Sequence, residues 1–243
     1  MTSISFIGTG RLGSTLARAL ARQGEPVAFV AGRNVAMAQG LAASLPGCRA
    51  VDAAQAASAD LVFLTVSDDA IAPVAEALTW RPGQFVVHCS GATETTALQA
   101  AARAGAQVGG FHPLQIFSDP ARALELLAGS SVAIEGPPAL EAELQRLATL
   151  LGMHSLRLPP GARARYHGAA SYAASYLLSM LDEAASIWRS FGIPEQDALQ
   201  ALMPMARGTL AAAEAKGLSA AVAGPISRGD VGVVERHLDA LRT

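Results

Sequence analysis

The chain has 243 residues, of which 51% are hydrophobic and 16% charged, and its formal net charge is −2. It is long enough for one or two domains with cores of their own. The near-neutral balance offers no basic surface for nucleic acid or an anionic membrane, and the dispersed Gly (23) and Pro (13) exclude a low-complexity protein.

In chain order, the first half alternates short β-rich runs with Ala-rich helical stretches. Residues 4–7, 27–31, 61–66, 85–89, 108–111 and 132–134 are expected as strands. Their near-continuous apolar character suits a parallel sheet covered on both faces. Residues 12–22, 35–44, 69–78, 95–104 and 140–151 carry helical patterns between them. This alternation predicts an α/β chain with a doubly wound, Rossmann-type sheet. The rhythm changes at Leu158-Pro159-Pro160-Gly161. Beyond it no strand is expected. Residues 164–191 read as one long helix, 195–216 as a second with a possible interruption at Pro204, and 231–241 as a third. The expected division is a dinucleotide-binding domain at 1–160 and a smaller all-α domain at 161–243.

The greasiest window, 168–181, is too short to span a bilayer and suits a core helix. Residues 4–7 follow no basic segment and read as a strand, not a signal peptide. Cys48 and Cys89 make no disulfide framework. Buried reduced thiols and a cytoplasmic location are expected, with Cys89 as a redox nucleophile the minor alternative.

Gly8-Thr9-Gly10-Arg11-Leu12-Gly13 is a G-x-G-x-x-G that follows a strand and opens a helix. That context is what a dinucleotide fingerprint requires. Gly8 allows the tight turn, Gly10 lets backbone approach a pyrophosphate, and Gly13 lets the helix pack on the strand. The helix N-terminus then holds the anion. The next strand ends in Ala31-Gly32-Arg33-Asn34, with no carboxylate for a ribose 2′-hydroxyl. Arg33 suits a 2′-phosphate, so NADP is favoured over NAD. Asn34 is a second donor and a good N-cap.

Ligands of an open sheet bind beyond the carboxyl ends of its strands. Val66, Ser67 and Asp68 follow one strand, and Ser90 and Gly91 another; all five are cofactor-binding candidates. For Ser67 and Asp68 the competing role is capping the helix that follows. His88 reads equally as a structural residue of its strand. His112 stands before Pro113, which is expected to end the strand. It suits proton donation to a carbonyl or imine, or binding of a substrate anion. Tyr166 and His167 open the helical domain beside Arg163 and Arg165, and join His112 as catalytic candidates. Ser175, with Ser171 and Tyr172, adds polar groups to an apolar helix. Arg228, in the loop Gly224-Pro225-Ile226-Ser227-Arg228-Gly229-Asp230, suits a carboxylate or phosphate, or simply lies solvated while Asp230 caps the last helix. Ser175 and Arg228 are the substrate-binding candidates. No metal-ligand spacing appears, and a metal site is not expected.

The pieces 7–13, 66–71, 87–92, 110–115, 166–176 and 224–230 together resemble a bacterial two-domain family. Its members are Rossmann-like proteins with a C-terminal domain of unknown function, grouped with deazaflavin-dependent NADP reductases and pyrroline-5-carboxylate reductases. The resemblance implies an NAD(P)-binding first domain and a helical second domain like those of 6-phosphogluconate dehydrogenase relatives, where that domain commonly forms the dimer. Phe111-His112-Pro113-Leu114 is similar to the His-Pro motif beside the substrate of prephenate dehydrogenases. The family often has Asn where this chain has Ser175, which weakens a catalytic role there. Related chains run on past the final helix whereas this one stops at Thr243, which leaves open a shortened chain or a missing last helix.

The combined reading is an NADP-dependent reductase or dehydrogenase transferring hydride to a small, anionic carbonyl or imine between the domains. The helical domain and its apolar first helix point to a homodimer. No nucleic-acid or membrane partner is expected. The absence of a Lys/Asn or Tyr/Lys catalytic pair keeps a non-catalytic NADP-binding sensor or scaffold as the alternative.

Overall fold

The computed structural model describes residues 2–242. In chain order the elements are β1 (Ile4–Ile7), α1 (Arg11–Arg22), β2 (Val27–Ala31), α2 (Val35–Ala43), β3 (Arg49–Ala50), α3 (Ala53–Ala56), β4 (Leu61–Leu64), α4 (Asp68–Ala77) and β5 (Phe85–His88). A 3-10 turn at Thr95–Leu98 leads into α5 (Gln99–Arg103), then β6 (Gln107–Leu114), α6 (Pro120–Glu125), β7 (Ser131–Glu135), α7 (Pro138–Leu150) and β8 (His154–Arg157). Helices α8 (Arg163–Ala173), α9 (Ser175–Ser190), α10 (Glu195–Lys216), α11 (Leu218–Ala221) and α12 (Val231–Ala240) follow.

The strands form one eight-stranded sheet in the order β3-β2-β1-β4-β5-β6-β7-β8. Its first six strands have the doubly wound dinucleotide-binding order. Two buried clusters lie on the sheet's two faces. One joins Phe6 and Phe63 to Leu16 and Leu20 of α1 and to Leu140, Leu144 and Leu147 of α7. The four-residue spacing of Leu16 and Leu20 keeps them on one helix face. The other cluster joins Val62, Leu64 and Val86 to Ile71 and Ala75 of α4 and to Leu98 and Ala101. Phe6 stacks on Phe63 at 5.0 Å between ring centroids, and Phe111 meets Phe63 edge-on at 5.8 Å.

Three sequence expectations change. The sheet is not wholly parallel, because β7 runs antiparallel to β6. The short strands β3 and β8 went unread: β3 has two residues, and all four residues of β8 are exposed. Pro113 does not end its strand, since β6 continues to Leu114. Pairing with β5 stops at His88↔Gly110, so residues 111–114 have only β7 beside them. A missing proline N–H therefore costs no ladder bond on the side β5 has left.

The chain divides into two compact units, Met1–Ala170 and Ser171–Thr243. The division falls past the Pro-Pro-Gly punctuation because Arg163, at the start of α8, is tied into the sheet unit by its side chain. The expected single helix over 164–191 is two helices. Ala174 leaves helical geometry at φ −120°, ψ −91°. Its N–H bonds Ser171, three residues back, which tightens the last turn and stops the ladder. Neither glycine nor proline marks that break in the sequence. By contrast α10 passes through Pro204 unbroken. In the second unit the buried core is small: Ala185, Ala198 and Leu202, with Trp188 and Ile193 against them.

Candidate dinucleotide and proton-transfer site

The β1–α1 turn is built from close approaches. Gly8 has φ +115°, and a Cβ there would lie 2.5 Å from the Thr65 carbonyl. A Cβ on Gly13 would run into the Gly8 carbonyl and the Thr65 hydroxyl. The Thr65 hydroxyl donates to that same carbonyl at 2.6 Å. Nothing lies within 4 Å of the Cβ direction of Gly10, so the face above it is open. Helix α1 has no side-chain cap and no acidic residue in its first turn. Its first N–H groups and the positive end of its dipole are left for an anion.

A cleft of about 860 Å³ opens from this turn. Gly8, Thr9, Gly10, Arg33, Asn34, Val66 and Ser67 line it, as do the unpredicted Gly32, Met37, Asp52, Thr65 and Val74. Gly32 has to be small because a Cβ would meet the Thr9 hydroxyl at 2.5 Å. Arg33 is exposed at the rim. Asn34 caps α2 by accepting from Met37 N at 3.1 Å, so the capping role is present. Asp52 is held as the cap of α3, accepting from Gln55 N at 2.7 Å. Ser67 stands at the N-cap of α4 without a side-chain capping bond, and Asp68 lies in that helix's first turn. Arg11 is exposed and Leu12 half-buried on α1. The open turn, the free helix terminus and the basic rim suit a phosphorylated dinucleotide. NADP would be held by Gly8–Gly13 backbone and Arg33.

A second cluster in the same unit gathers His112 of β6 and Tyr166 and His167 of α8. His112 Nδ1 and the Tyr166 hydroxyl are 3.0 Å apart, with the rings edge to face. The His167 ring meets His112 at 5.9 Å between centroids. Gly91 lies beneath both rings: a Cβ there would be 2.8 Å from His112 Nε2 and 2.5 Å from His167 Cδ2. Burial is the main force holding His112 down to about 4, helped by the charges of His167 and Arg163, while Asp68 pulls the other way. His112 is therefore neutral at pH 7, which removes a standing imidazolium as a binder of substrate anions. Burial raises Tyr166 to about 12, with Arg163 opposing it. One proton sits between the two groups, and the pair can pass it on.

His88 is fully buried, and its Nδ1 accepts the Ser90 N–H at 3.2 Å, which assigns the proton to Nε2. Nε2 is buried without a hydrogen-bond partner among the described residues. Burial, with Arg163 and His112 adding to it, lowers His88 to about 3. The Ser90 hydroxyl is spent on its own loop, donating to Thr93 Oγ1 at 2.9 Å and accepting from Thr93 N at 2.9 Å. Cys89 is buried and its thiol is pushed far up by that burial, so it is no redox nucleophile.

Glu135 and Glu94 were missed in the sequence, and Arg163 was named there without a role. Arg163 is completely buried, donating from Nε to Glu135 Oε2 at 2.7 Å and from Nη1 to the Ser90 carbonyl at 2.8 Å. Glu94 accepts from the backbone N–H of Gly161 and of Arg163, both at 3.2 Å. In the second unit Ser175 and Arg228 are exposed, and Asp230 caps α12 by accepting from Val233 N at 3.1 Å. Among the described residues no group of three or more His, Cys, Asp or Glu stands close enough to hold a metal ion.

Residues 3–91 match the family model described as NADP oxidoreductase, coenzyme F420-dependent, and residues 130–243 match a domain of unknown function (DUF2520). No curated protein matches the sequence. Among solved structures the chain is similar to an NADP oxidoreductase of Bacteroides fragilis, at 24% identity and TM-score 0.75, covering 99% of this chain and 91% of that one. It is similar to the 1-pyrroline-5-carboxylate reductase of Streptococcus pyogenes, at 17% identity and TM-score 0.69, covering 97% and 91%. It is also similar to a reductive aminase of Aspergillus terreus in complex with NADPH and ethyl-5-oxohexanoate, at 18% identity and TM-score 0.68, covering 98% and 78%. At these identities the likeness establishes the fold. Each family model thus matches one segment of the chain, and both segments contribute strands to one sheet of the doubly wound order.

Proposed function

We propose that this protein is an NADP-dependent reductase that reduces the carbonyl or imine of a small substrate. The observation that carries the proposal is the 3.0 Å contact between His112 Nδ1 and the Tyr166 hydroxyl, in the same unit as the glycine turn. When bound, NADPH supplies a hydride. The chain's own residues supply the balancing proton, bind the phosphates and orient the reactants. Gly10, Arg11 and Leu12 would offer backbone N–H groups to the pyrophosphate, and Arg33 would pair with the 2′-phosphate. The oxygen or nitrogen of the reduced double bond takes its proton from the Tyr166–His112 pair. His167, exposed and edge-on to His112, links the pair to solvent. An anionic substrate would have to be met by another group than His112.

The fold of the reductive aminase and pyrroline-5-carboxylate reductase relatives supports an imine or carbonyl as the acceptor. Fluorescence titration with NADPH, then NADPH oxidation against carbonyl, imine and deazaflavin acceptors, tests the reading. Tyr166→Phe and His112→Asn should each lower turnover about 10²–10⁴-fold with NADPH affinity within about twofold. Failure to bind NADPH overturns the proposal. Tight NADPH binding with no turnover of any acceptor replaces it with a sensor role.

We also propose a homodimer formed through the helical unit. Leu178, Met180, Met205, Leu210 and Leu218 are each more than half exposed beside a buried core of only three residues. Large apolar side chains left exposed in this number favour a protein partner. Sedimentation equilibrium of a monomer at micromolar concentration would overturn this. A cytoplasmic location is consistent with two free cysteines. Among the described residues no helix is long and apolar enough to cross a membrane.

A further inference from the structure

We infer that Arg163 is a positioning residue: its buried guanidinium fastens the first turn of α8 to strand β7 and to the loop after β5, and so sets Tyr166 against His112. The inference rests on the proposed role of the Tyr166–His112 pair for its catalytic meaning. Its structural content does not depend on that role.

Burying an arginine is costly unless its charge is paired and its donors are used. Here Nε meets Glu135 at the end of β7, and Nη1 meets the Ser90 carbonyl just before Gly91. Glu135 is held in turn by the Thr95 hydroxyl, which donates to its Oε1 at 3.0 Å. From the same loop Glu94 accepts the Gly161 and Arg163 N–H groups and so anchors the start of the helix. Strand β6 is cut back to make room. A Cβ on Gly110 would collide with Arg163 Nη2 and lie 2.6 Å from Cζ. Gly110 is two residues before His112, so the guanidinium lies against the strand that carries the histidine. On α8, Tyr166 and His167 follow Arg163 by three and four residues, which sets all three on one side of the helix. Fixing Arg163 in depth and rotation fixes the Tyr166 hydroxyl over His112.

Nη2 finds no acceptor, although it is buried. The planar fork reaches acceptors on two different elements at once. The charge also acts on the site. Arg163 pushes His112, His88 and Tyr166 toward lower values, while Asp68 on α4 opposes it at His112 and His167 on α8 adds to it.

The test is an NMR titration of the His112 imidazole in the full chain, assigned by its loss in His112→Asn. With Arg163 present, Tyr166→Phe should move the His112 midpoint, because the 3.0 Å contact is gone. With Arg163→Met that effect should vanish, and the midpoint itself should rise. Arg163→Met leaves Glu135 unpaired and can fail to fold. The double variant Arg163→Met/Glu135→Gln removes both charges. Gly110→Ala displaces the guanidinium without removing it, and should weaken the same coupling. If Tyr166→Phe moves His112 equally with and without Arg163, or in Gly110→Ala, the inference is overturned. His112 is read in the resting protein, so this result stands whichever way the turnover assay falls. Turnover that depends on Tyr166 but ignores Arg163 and Gly110 would sink this inference and leave the reductase reading intact.

Discussion

Acidification should destabilise the sheet unit before any carboxylate titrates. His88 and His112 are held neutral by burial, at about 3 and about 4 against an ordinary value of 6.5. The unfolded chain therefore binds more protons than the folded one between these values. Folded-state values below the unfolded value mean that stability is complete above about pH 6.5 and drains away as pH falls toward 4 and then 3. A fall from 6.5 to about 4 corresponds to about 3 kcal/mol for His112, and the deeper fall of His88 to about 5 kcal/mol, both as upper bounds. The local slope between pH 6 and 5 approaches about 1.4 kcal/mol per pH unit for each histidine. Glu25 and Asp60 act in the same direction through Arg146 and through Ser3 and Arg81, but only below their ordinary values of 4.5 and 3.8. The interval from pH 6.5 to 5 thus isolates the histidines. The measurement is urea unfolding across that interval in a Trp188→Phe background. This leaves Trp80, which is 7% exposed and bonded through Nε1 to the Ala75 carbonyl, as the reporter of the sheet unit. His88→Asn keeps an acceptor for the Ser90 N–H and should remove about half the slope. Flat stability from pH 6.5 to 5, or an undiminished slope in both His88→Asn and His112→Asn, would refute the reasoning.

Three further outcomes follow from the geometry. Arg33→Ala should weaken NADPH binding about 10–100-fold, the worth of one charge-assisted bond, and leave NADH affinity unchanged; equal losses for both dinucleotides would remove Arg33 from 2′-phosphate recognition. Gly110→Ala should cost about 1–3 kcal/mol in urea unfolding, because a methyl group there displaces the guanidinium from Glu135 and the Ser90 carbonyl. Asp230→Ala should cost the last helix about 1 kcal/mol, read as faster hydrogen exchange at Val233 and its neighbours, with the sheet unit unaffected.

What could be read from the sequence was local, and what could not was the closure of distant residues on one another. The glycine turn was legible because three glycines fall within six residues of one strand–helix junction; Gly8 and Gly13 exclude a side chain, and Gly10 leaves the face above the turn open. The strands β1, β2, β4 and β5 were legible because burial leaves a near-continuous apolar run. Strand β3 has two residues and β8 is wholly exposed, so neither leaves such a run. The continuation of β6 through Pro113 was illegible for a different reason. Proline was taken to end the strand, whereas its tolerance depends on β5 stopping at His88, a fact of pairing that no window around Pro113 contains. The same holds at the proposed proton-transfer site. His112, Tyr166 and His167 stood out as polar groups at strand and helix ends. Glu135 and Glu94 did not, since a carboxylate at the end of a strand or in a loop looks solvated until its partner is known. Their partner is Arg163, separated from Glu135 by 28 residues and from Glu94 by 69. The one trace it leaves in the sequence is the second glycine of Gly109-Gly110. A strand interior seldom gives up its side chain without a reason, and here the reason is the guanidinium lying over it. A glycine that weakens a central strand is therefore a pointer to a bulky group arriving from elsewhere, and at Gly110 that group is the one that holds Tyr166 in place.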